Sequence, residues 1–442
     1  MYRGKDHKTG NLFSEIFPFG GSLDEDNQWI KLSRLIPWDK MEAVYVKYFS
    51  EVGRPAKDSR LVTGLLIIKH RRGHSDRETI EQFLENPYLE YFCGYEHFVK
   101  KGEIHYSTLS RLRKRLGKEY FRRFEKELFG VLLKERIVKP QEVMLDATVC
   151  PANITYPTDV KLLNVVREWL CEKINWLRRK GGLKEKVRTY RRKARKLYLN
   201  FQKKKRKSKK IIQKAKKGLL RYVCRNLKQF EEVLEKTKES IKVKTTEQLK
   251  KRLETAKRIY HQQKEMAERR VFRVKDRIVS FHWPEVRPMV RGKDGKEVEF
   301  GPKVLLSLAG GFTFLDKLSY DAYNESQDLK GSLRAYRDRW GKLPQEVIAD
   351  RIFGTRWNRK LLKRLHIKEA FKPLGRARLK EGKRQEVRKA EKKRSRMEGA
   401  IGWGKCKYQL DNIRYRISDG AEIWVRMGLI GMNLTAALKK IG

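Results

Sequence analysis

Three residues near the C-terminus carry the first chemical signal. In the segment from Arg394 to Lys405, reading RSRMEGAIGWGK, an arginine, a glutamate and a lysine stand at spacings of four and seven: Arg394, Glu398 and Lys405. A carboxylate held between cations is suited to keeping a metal ion beside phosphate. Two further acids, Asp146 and Asp350, each end an apolar run, EVMLDATV and EVIAD. Attack on a phosphodiester needs a nucleophilic oxygen, a stabilised leaving oxygen and charge neutralisation at phosphorus. Two Mg²⁺ ions about 3.5–4 Å apart supply all three, and Mg²⁺ prefers hard carboxylate oxygens. The expectation is a metal site built from Asp146, Asp350 and Glu398, with Mn²⁺ as a substitute ion. Such a site cuts and joins nucleic-acid backbones.

These acids must be brought together by the elements around them. Glu142–Val149 reads as a buried strand. Lys303–Ala309 and Phe312–Leu318 read as strands joined by Gly310-Gly311, a hairpin signal. A helix is expected near Asp328–Trp340, a short strand at Glu346–Asp350, a helix near Asn358–Leu365 and a strand at Ile367–Phe371. A basic stretch, 376–396, leads into the helix that holds Glu398. This order predicts an α/β fold, a mixed sheet flanked by helices, with the metal site at one edge of the sheet. The apolar segment Ile423–Leu438 is too short for a membrane span and contains Arg426 and Asn433, so it reads as a core helix.

Charge points to the partner. The 442 residues hold 106 Lys and Arg against 54 Asp and Glu, a net charge of +52. So large an excess repels itself unless a polyanion is near, which makes nucleic acid the expected partner. No secretion signal and no membrane-length apolar window is seen. Five cysteines without a CxxC pair read as reduced, mostly buried thiols of a cytoplasmic protein. His70 and His74, four apart and flanked by Arg71 and Arg72, read as structural or surface residues rather than ligands.

The N-terminal third is expected to hold an extended arm over about residues 1–30 and then helices from Leu32 to about Lys139. Ser75 ahead of Glu78 forms a capping-box pattern, and Ser107 gives a second helix start. Opposite Leu109, Leu112 and Leu116 lies a basic set: Arg111, Arg113, Lys114 and Arg115. Short helices with one basic face suit a helix-turn-helix-like DNA reader; they equally suit an ordinary helical bundle with solvated arginines.

Between the first and second acids the character changes. Apolar residues at Leu183, Val187, Tyr190, Ala194, Leu197 and Phe201 alternate steps of four and three. They mark a helical stripe that resumes at Ile211, Ile212, Ala215, Leu219, Tyr222 and Val223. Residues 184–217 hold 18 Lys or Arg and one acid, Glu185. This block reads as a helical insertion that clamps DNA phosphates, with Arg191, Arg192, Lys204 and Arg206 among its contacts, or as a basic coiled coil used for dimerisation. Strands are expected to return from about Ile278.

Taken together, these residues resemble the DDE transposases of bacterial and archaeal insertion sequences, in the broad group that includes insertion sequences four and five. The likeness is carried by LDAT at 145–148, VRGK at 290–293, DAYNES at 321–326, ADR at 349–351 and EGAIGWGK at 398–405. The resemblance implies an RNase H-like catalytic fold, magnesium dependence and Asp146, Asp350 and Glu398 as the triad. The family pattern around its glutamate, Tyr-x2-Arg-x3-Glu-x6-Lys, is matched at Arg394, Glu398 and Lys405. Its tyrosine position holds Glu391.

The corresponding domain reading is 1–138 for the arm and helical DNA-binding region, 139–159 for the first part of the catalytic domain, 160–270 for the basic insertion and 271–442 for the rest. Arg394 and Lys405 would grip phosphates beside the cut. Asp159, Asp316, Asp321 and Glu325 are candidates to support the triad, and Trp403 is a candidate to stack on an unpaired base, or a packing residue. The expected activity is binding of terminal inverted repeats in double-stranded DNA, strand cleavage and strand transfer, by a homodimer on DNA in a prokaryotic nucleoid. Alternatives are a nuclease of the same fold that does not join, a non-catalytic nucleic-acid binder, and an RNA binder of the ribosome. The last explains the charge but not the acids on buried strands.

Overall fold

A computed structural model describes residues 19, 23–100, 102–138, 140–290, 298–372 and 381–441. Most of the expected N-terminal arm, residues 1–18 and 20–22, lies outside the described residues, as do positions 291–293 of the VRGK motif and 376–380 of the basic stretch. The chain divides into two compact units, one made of residues 1–153 with 302–442 and the other of 154–301.

The first unit begins with α1 (Gln28–Leu35), α2 (Trp38–Tyr45), α3 (Ser59–Arg72), α4 (Asp76–Glu85), α5 (Pro87–Phe92) and α6 (Tyr106–Lys134). The capping box at α4 forms as expected: the Ser75 hydroxyl accepts from Glu78 N and the Glu78 carboxylate accepts from Ser75 N. The start of α6 differs from expectation. His105 is its cap, and its Nδ1 accepts from Ser107 N at 3.3 Å, so Ser107 sits inside the first turn. Gly117 interrupts α6 at φ 62°, ψ −178°, a conformation costly for any residue with a Cβ.

The sheet is formed by β1 (Glu142–Val149), β4 (Lys303–Ala309), β5 (Phe312–Ser319), β6 (Glu346–Ala349) and β7 (Lys368–Ala370), in the order β5-β4-β1-β6-β7. The first three pair antiparallel; β1, β6 and β7 pair parallel. Gly310 and Gly311, both at positive φ, make the tight β4–β5 turn. The intervening α11 (Leu329–Trp340) and α12 (Arg356–Arg364), and the C-terminal α13 (Glu381–Tyr408) and α14 (Gly420–Ile441), complete this unit. It is therefore a mixed sheet flanked by helices. Strand β5 is an edge, and α14 covers it: Asn433 Oδ1 accepts from Thr313 N at 2.8 Å while its Nδ2 donates to Thr313 O at 2.7 Å. Residues 423–438 form part of α14, buried against α3, α6 and β5. Among the described residues no helix is long and apolar enough to cross a membrane.

The second unit packs α7 (Asp159–Lys180), α8 (Arg191–Lys203), α9 (Lys209–Thr237) and α10 (Val243–Glu268) around an apolar core that includes Leu170, Ile174, Leu219, Val223, Phe230 and Ile259. The expected stripe along α9 is present. The upstream stripe is helical only from Arg191. Gly182 at φ 66° and Tyr190 at φ 52° keep 181–190 out of the helix, and Leu183 and Val187 reach the core from this loop instead. Helical spacing had been imitated by a loop laid across the core. Strands also return later than Ile278: the next pair is β2 (Pro288–Val290) with β3 (Val298–Phe300).

All five cysteines are free, with Cys93, Cys150 and Cys171 buried, Cys224 half-buried and Cys406 exposed.

Candidate active site

Strand register assembles the site. β1 and β6 run parallel with Leu145 opposite Ala349. The next residue after each is an acid, so Asp146 on β1 and Asp350, one residue past the end of β6, end up side by side, at a strand spacing of about 4.8 Å. The leucine and the alanine turn into the core, and the acids follow on the other face. Asp350 closes its strand by capping the turn that follows: its Oδ1 accepts from Arg351 N at 2.6 Å. Because the β4–β5 hairpin pairs on the far side of β1, the two acids lie mid-sheet. The expected position at a sheet edge is therefore corrected.

Helix α13 crosses this face. Glu142 shares the face of Asp146, and Lys393 clamps α13 to it with contacts of 2.6 Å to Glu142 and 2.8 Å to Glu346 at the starts of β1 and β6. Met397 is fully buried beneath the helix. The following turn presents Arg394 and Glu398 to the strand acids. Arg394 Nη1 pairs with Asp350 Oδ1 at 2.7 Å, and its Nη2 donates to Glu398 Oε1 at 3.1 Å. Lys405 lies seven residues on, half-buried, and at about 100° per residue falls on the same helix face. Glu391, in the tyrosine position of the pattern, is paired with Lys372 at 2.6 Å.

Asp146 registers the whole cluster. Burial pushes its carboxyl above the usual carboxylate range; the bond from Ala147 N and the charge of Arg394 pull it down, and the charges of Asp350 and Glu398 push it up again. The three acids and Arg394 thus share one electrostatic site. They do not yet form a closed cage. Among the described residues no three His, Cys, Asp or Glu side chains are gathered tightly enough to hold one metal ion. The Arg394 guanidinium bridges Asp350 and Glu398 and supplies the positive charge between them. The donor set still fits a hard divalent cation. It is all carboxylate, it is mutually repelling at Asp146, and Asp350 and Glu398 retain 49% and 58% side-chain exposure.

Beside these acids lies a cavity of about 480 Å³ between β6, β7 and α13, with Asp350, Arg394, Arg351, Arg359 and Phe371 in its wall. Neither this cavity nor the Lys393 clamp was foreseen; only the basic run around Arg394 hinted at the second.

The other sequence candidates separate clearly. Arg113 is buried and gives both Nη groups to Asp76 at 2.9 and 2.5 Å, with its guanidinium 4.1 Å from the Tyr415 ring centroid. It is a structural lock, so its assignment to a DNA-facing set is corrected. Arg111, Lys114 and Arg115 remain exposed on α6, although Arg115 donates to Tyr48 O at 2.8 Å. Arg191, Arg192, Lys204 and Arg206 are exposed in the helical unit. Asp159 belongs to that unit too and is occupied by Lys216, Arg277 and Gln263, so it does not support the triad.

Asp316 pairs with Arg339 and Ser307; Ser307 is opposite Leu145, so this pair sits on the sheet face away from Asp146. Glu325 is held by Lys303, and Asp321 lies in an exposed turn, its N–H donating to Ser319 Oγ. Trp403 packs edge-on against Tyr408 with Lys439 over its ring. His70 is fully buried, 3.1 Å from the Tyr415 hydroxyl, and burial holds its imidazole well below the ordinary value.

Two family models match this frame. Residues 18–115 match the transposase domain DUF772, and residues 347–435 match the transposase DDE domain, which takes in Asp350, Arg394, Glu398 and Lys405. The two matches support a DDE transposase of insertion sequences. Enzymes of this class act on DNA and generally use divalent metals. Over 136 residues the chain is 35% identical to the Rhizobium meliloti protein called uncharacterized protein ORF8 in nfe locus; the stretch is 30% of this chain and 66% of that protein. No solved structure matches the chain.

Proposed function

We propose that the chain is the recombinase of an insertion sequence. It binds the terminal inverted repeats of its element, cuts a strand at the element end and joins the freed end to target DNA. The observation that carries this reading is the β1–β6 register, which sets Asp146 beside Asp350 under the α13 turn bearing Arg394 and Glu398. The sheet order, three antiparallel strands followed by two parallel ones, supports an RNase H-like catalytic domain. In this reading 139–153 and 302–442 form that domain, 154–301 interrupts it, and residues 1–138 recognise the ends through Arg111, Lys114 and Arg115.

Asp146, Asp350 and Glu398 would hold Mg²⁺, or Mn²⁺, which when bound supplies an activated oxygen nucleophile and charge neutralisation at phosphorus. Arg394 then has a second task. Its fork, now shared by Asp350 and Glu398, suits two oxygens of a phosphate equally well, so it can exchange its carboxylates for the scissile strand. Lys405 adds a point charge farther along the same face. Strand cleavage is displacement by water, which leaves a 3′ hydroxyl. Joining is displacement by that hydroxyl on a target phosphodiester, with one bond made and one broken in each step. Exposed cations of the helical unit, Arg191, Arg192, Lys204 and Arg206, hold flanking backbone. Two ends must be processed together, which favours a homodimer on DNA.

The test is Mg²⁺-dependent nicking of a duplex carrying one element end, compared with Asp350→Ala. Loss of nicking in the variant, with DNA binding retained, supports the reading. Equal nicking by both proteins ends it. Transfer of a pre-cut end separates a recombinase from a nuclease that only cleaves.

A further inference from the structure

A second charged feature lies in the helical unit. Between α9 and α10 runs an open groove of about 810 Å³. One wall carries Lys217, Arg221, Arg225 and Lys228, at steps of four, four and three, which is one face of a helix. The other wall adds Lys264 and Arg270.

All six cations are exposed. Among the described residues none of the four on α9 has a carboxylate partner. Arg225 lies over the Tyr190 ring, and Lys264 has Glu268 at 3.8 Å, the one acid in the groove. Outside the groove, Lys216 of α9 pairs with Asp159, and Lys257 of α10 pairs with Glu231 and Glu254. Like charges four apart on a helix repel. A stripe of four like charges without a carboxylate partner, set along one wall of a groove, calls for an anion from outside.

Resting on the reading that the partner is DNA, we propose that this groove seats the sugar–phosphate backbone of duplex DNA, by charge and without regard to sequence. From Lys217 to Lys228 the stripe rises about 17 Å, at 1.5 Å per residue. That is the axial rise of about five phosphates on one strand of B-DNA, at 3.4 Å each. A single phosphate or nucleotide would leave most of the array unpaired. The recognition is regular and repeating, as a backbone is.

Binding of the full-length protein to a random-sequence duplex is measured as a function of salt, for the parent and for Lys217→Gln/Arg221→Gln/Arg225→Gln/Lys228→Gln. Each phosphate contact contributes about 0.9 to the log–log salt slope, so the slope should fall by about 2 to 4. An unchanged slope overturns the proposal. A second measurement uses the unaltered protein, in case the variant does not fold. Cys224 lines the groove, and duplex DNA should slow its alkylation at low salt, with the protection lost at high salt. No protection at saturating duplex overturns the proposal, as does protection by duplex RNA but not by DNA. Nicking at an element end is scored in parallel on the parent. Nicking without groove protection removes the groove and keeps the recombinase; protection without nicking does the reverse.

Discussion

Two arginine–carboxylate clusters in the sheet-containing unit use the same chemistry to opposite ends. Arg113 and Asp76 join α6 to α4, with Lys69 of α3 as a third member at 3.0 Å. Arg394 joins Asp350 to Glu398. The side chain of Arg113 is 4% exposed and that of Asp76 20%, whereas Arg394 is 29% and its two acids about half exposed. Burial opposes ionisation of Asp76, yet Arg113 and Lys69 outweigh it and hold the carboxyl below its ordinary value. At the other cluster Asp146 is held above its ordinary value. A closed pair with a satisfied acid is a fastener. An open pair beside an acid short of positive charge is a place where ions and phosphates can exchange. Exposure and charge balance separate the two roles; residue type does not.

The largest expected effect breaks the open cluster. Asp146→Asn or Asp350→Asn should reduce Mg²⁺-dependent nicking by at least about a thousandfold, equivalent to about 4 kcal/mol of barrier. A loss of less than tenfold would remove the triad. Breaking the closed cluster should act on stability instead. Arg113→Ala leaves Asp76 without its main partner and should lower unfolding free energy in urea by about 3–5 kcal/mol; a change below 1 kcal/mol would show that the buried pair is no fastener.

Arg394→Gln sharpens the contrast. Nicking should fall by about a hundredfold, near 2.7 kcal/mol, while the urea midpoint moves little, since exposed ion pairs contribute about 0–1 kcal/mol. Strong destabilisation by this change would merge the two clusters into one class.

The smallest effect is one of sign. A carboxyl whose folded pKa is raised destabilises the fold once it ionises, and this penalty is absent below the unfolded value of about 3.9. Asp146→Asn should therefore melt higher than the parent at pH 7, with the gap closing as pH falls below about 4. Asp76 has the opposite sign: its contribution is present above the unfolded value and is lost only as pH falls through its lowered folded value. Thermal melts of Asp146→Asn and Asp76→Asn across pH 3–7 check both directions.

Much of the fold was legible because local rules wrote it. The capping box at Ser75, the Gly310-Gly311 hairpin and the stripe along α9 each depend on neighbours within a few residues. Where a local pattern was shared by two structures, reading failed. Leu183 and Val187 keep helical spacing in a loop, and Arg113 looks like its exposed neighbours Arg111 and Lys114 until Asp76 is known to face it.

The candidate residues Asp146, Asp350, Arg394, Glu398 and Lys405 could be picked out from the sequence alone, since an acid ending an apolar run and an Arg–Glu–Lys spacing are visible without coordinates. Tertiary structure alone decided that Asp146 lies beside Asp350 at the end of the adjacent strand, that Arg394 bridges Asp350 and Glu398, and that Asp159 serves the other unit. The reason is physical: strand register and the seating of α13 are set by the sum of many long-range contacts, and no single stretch of chain records that sum.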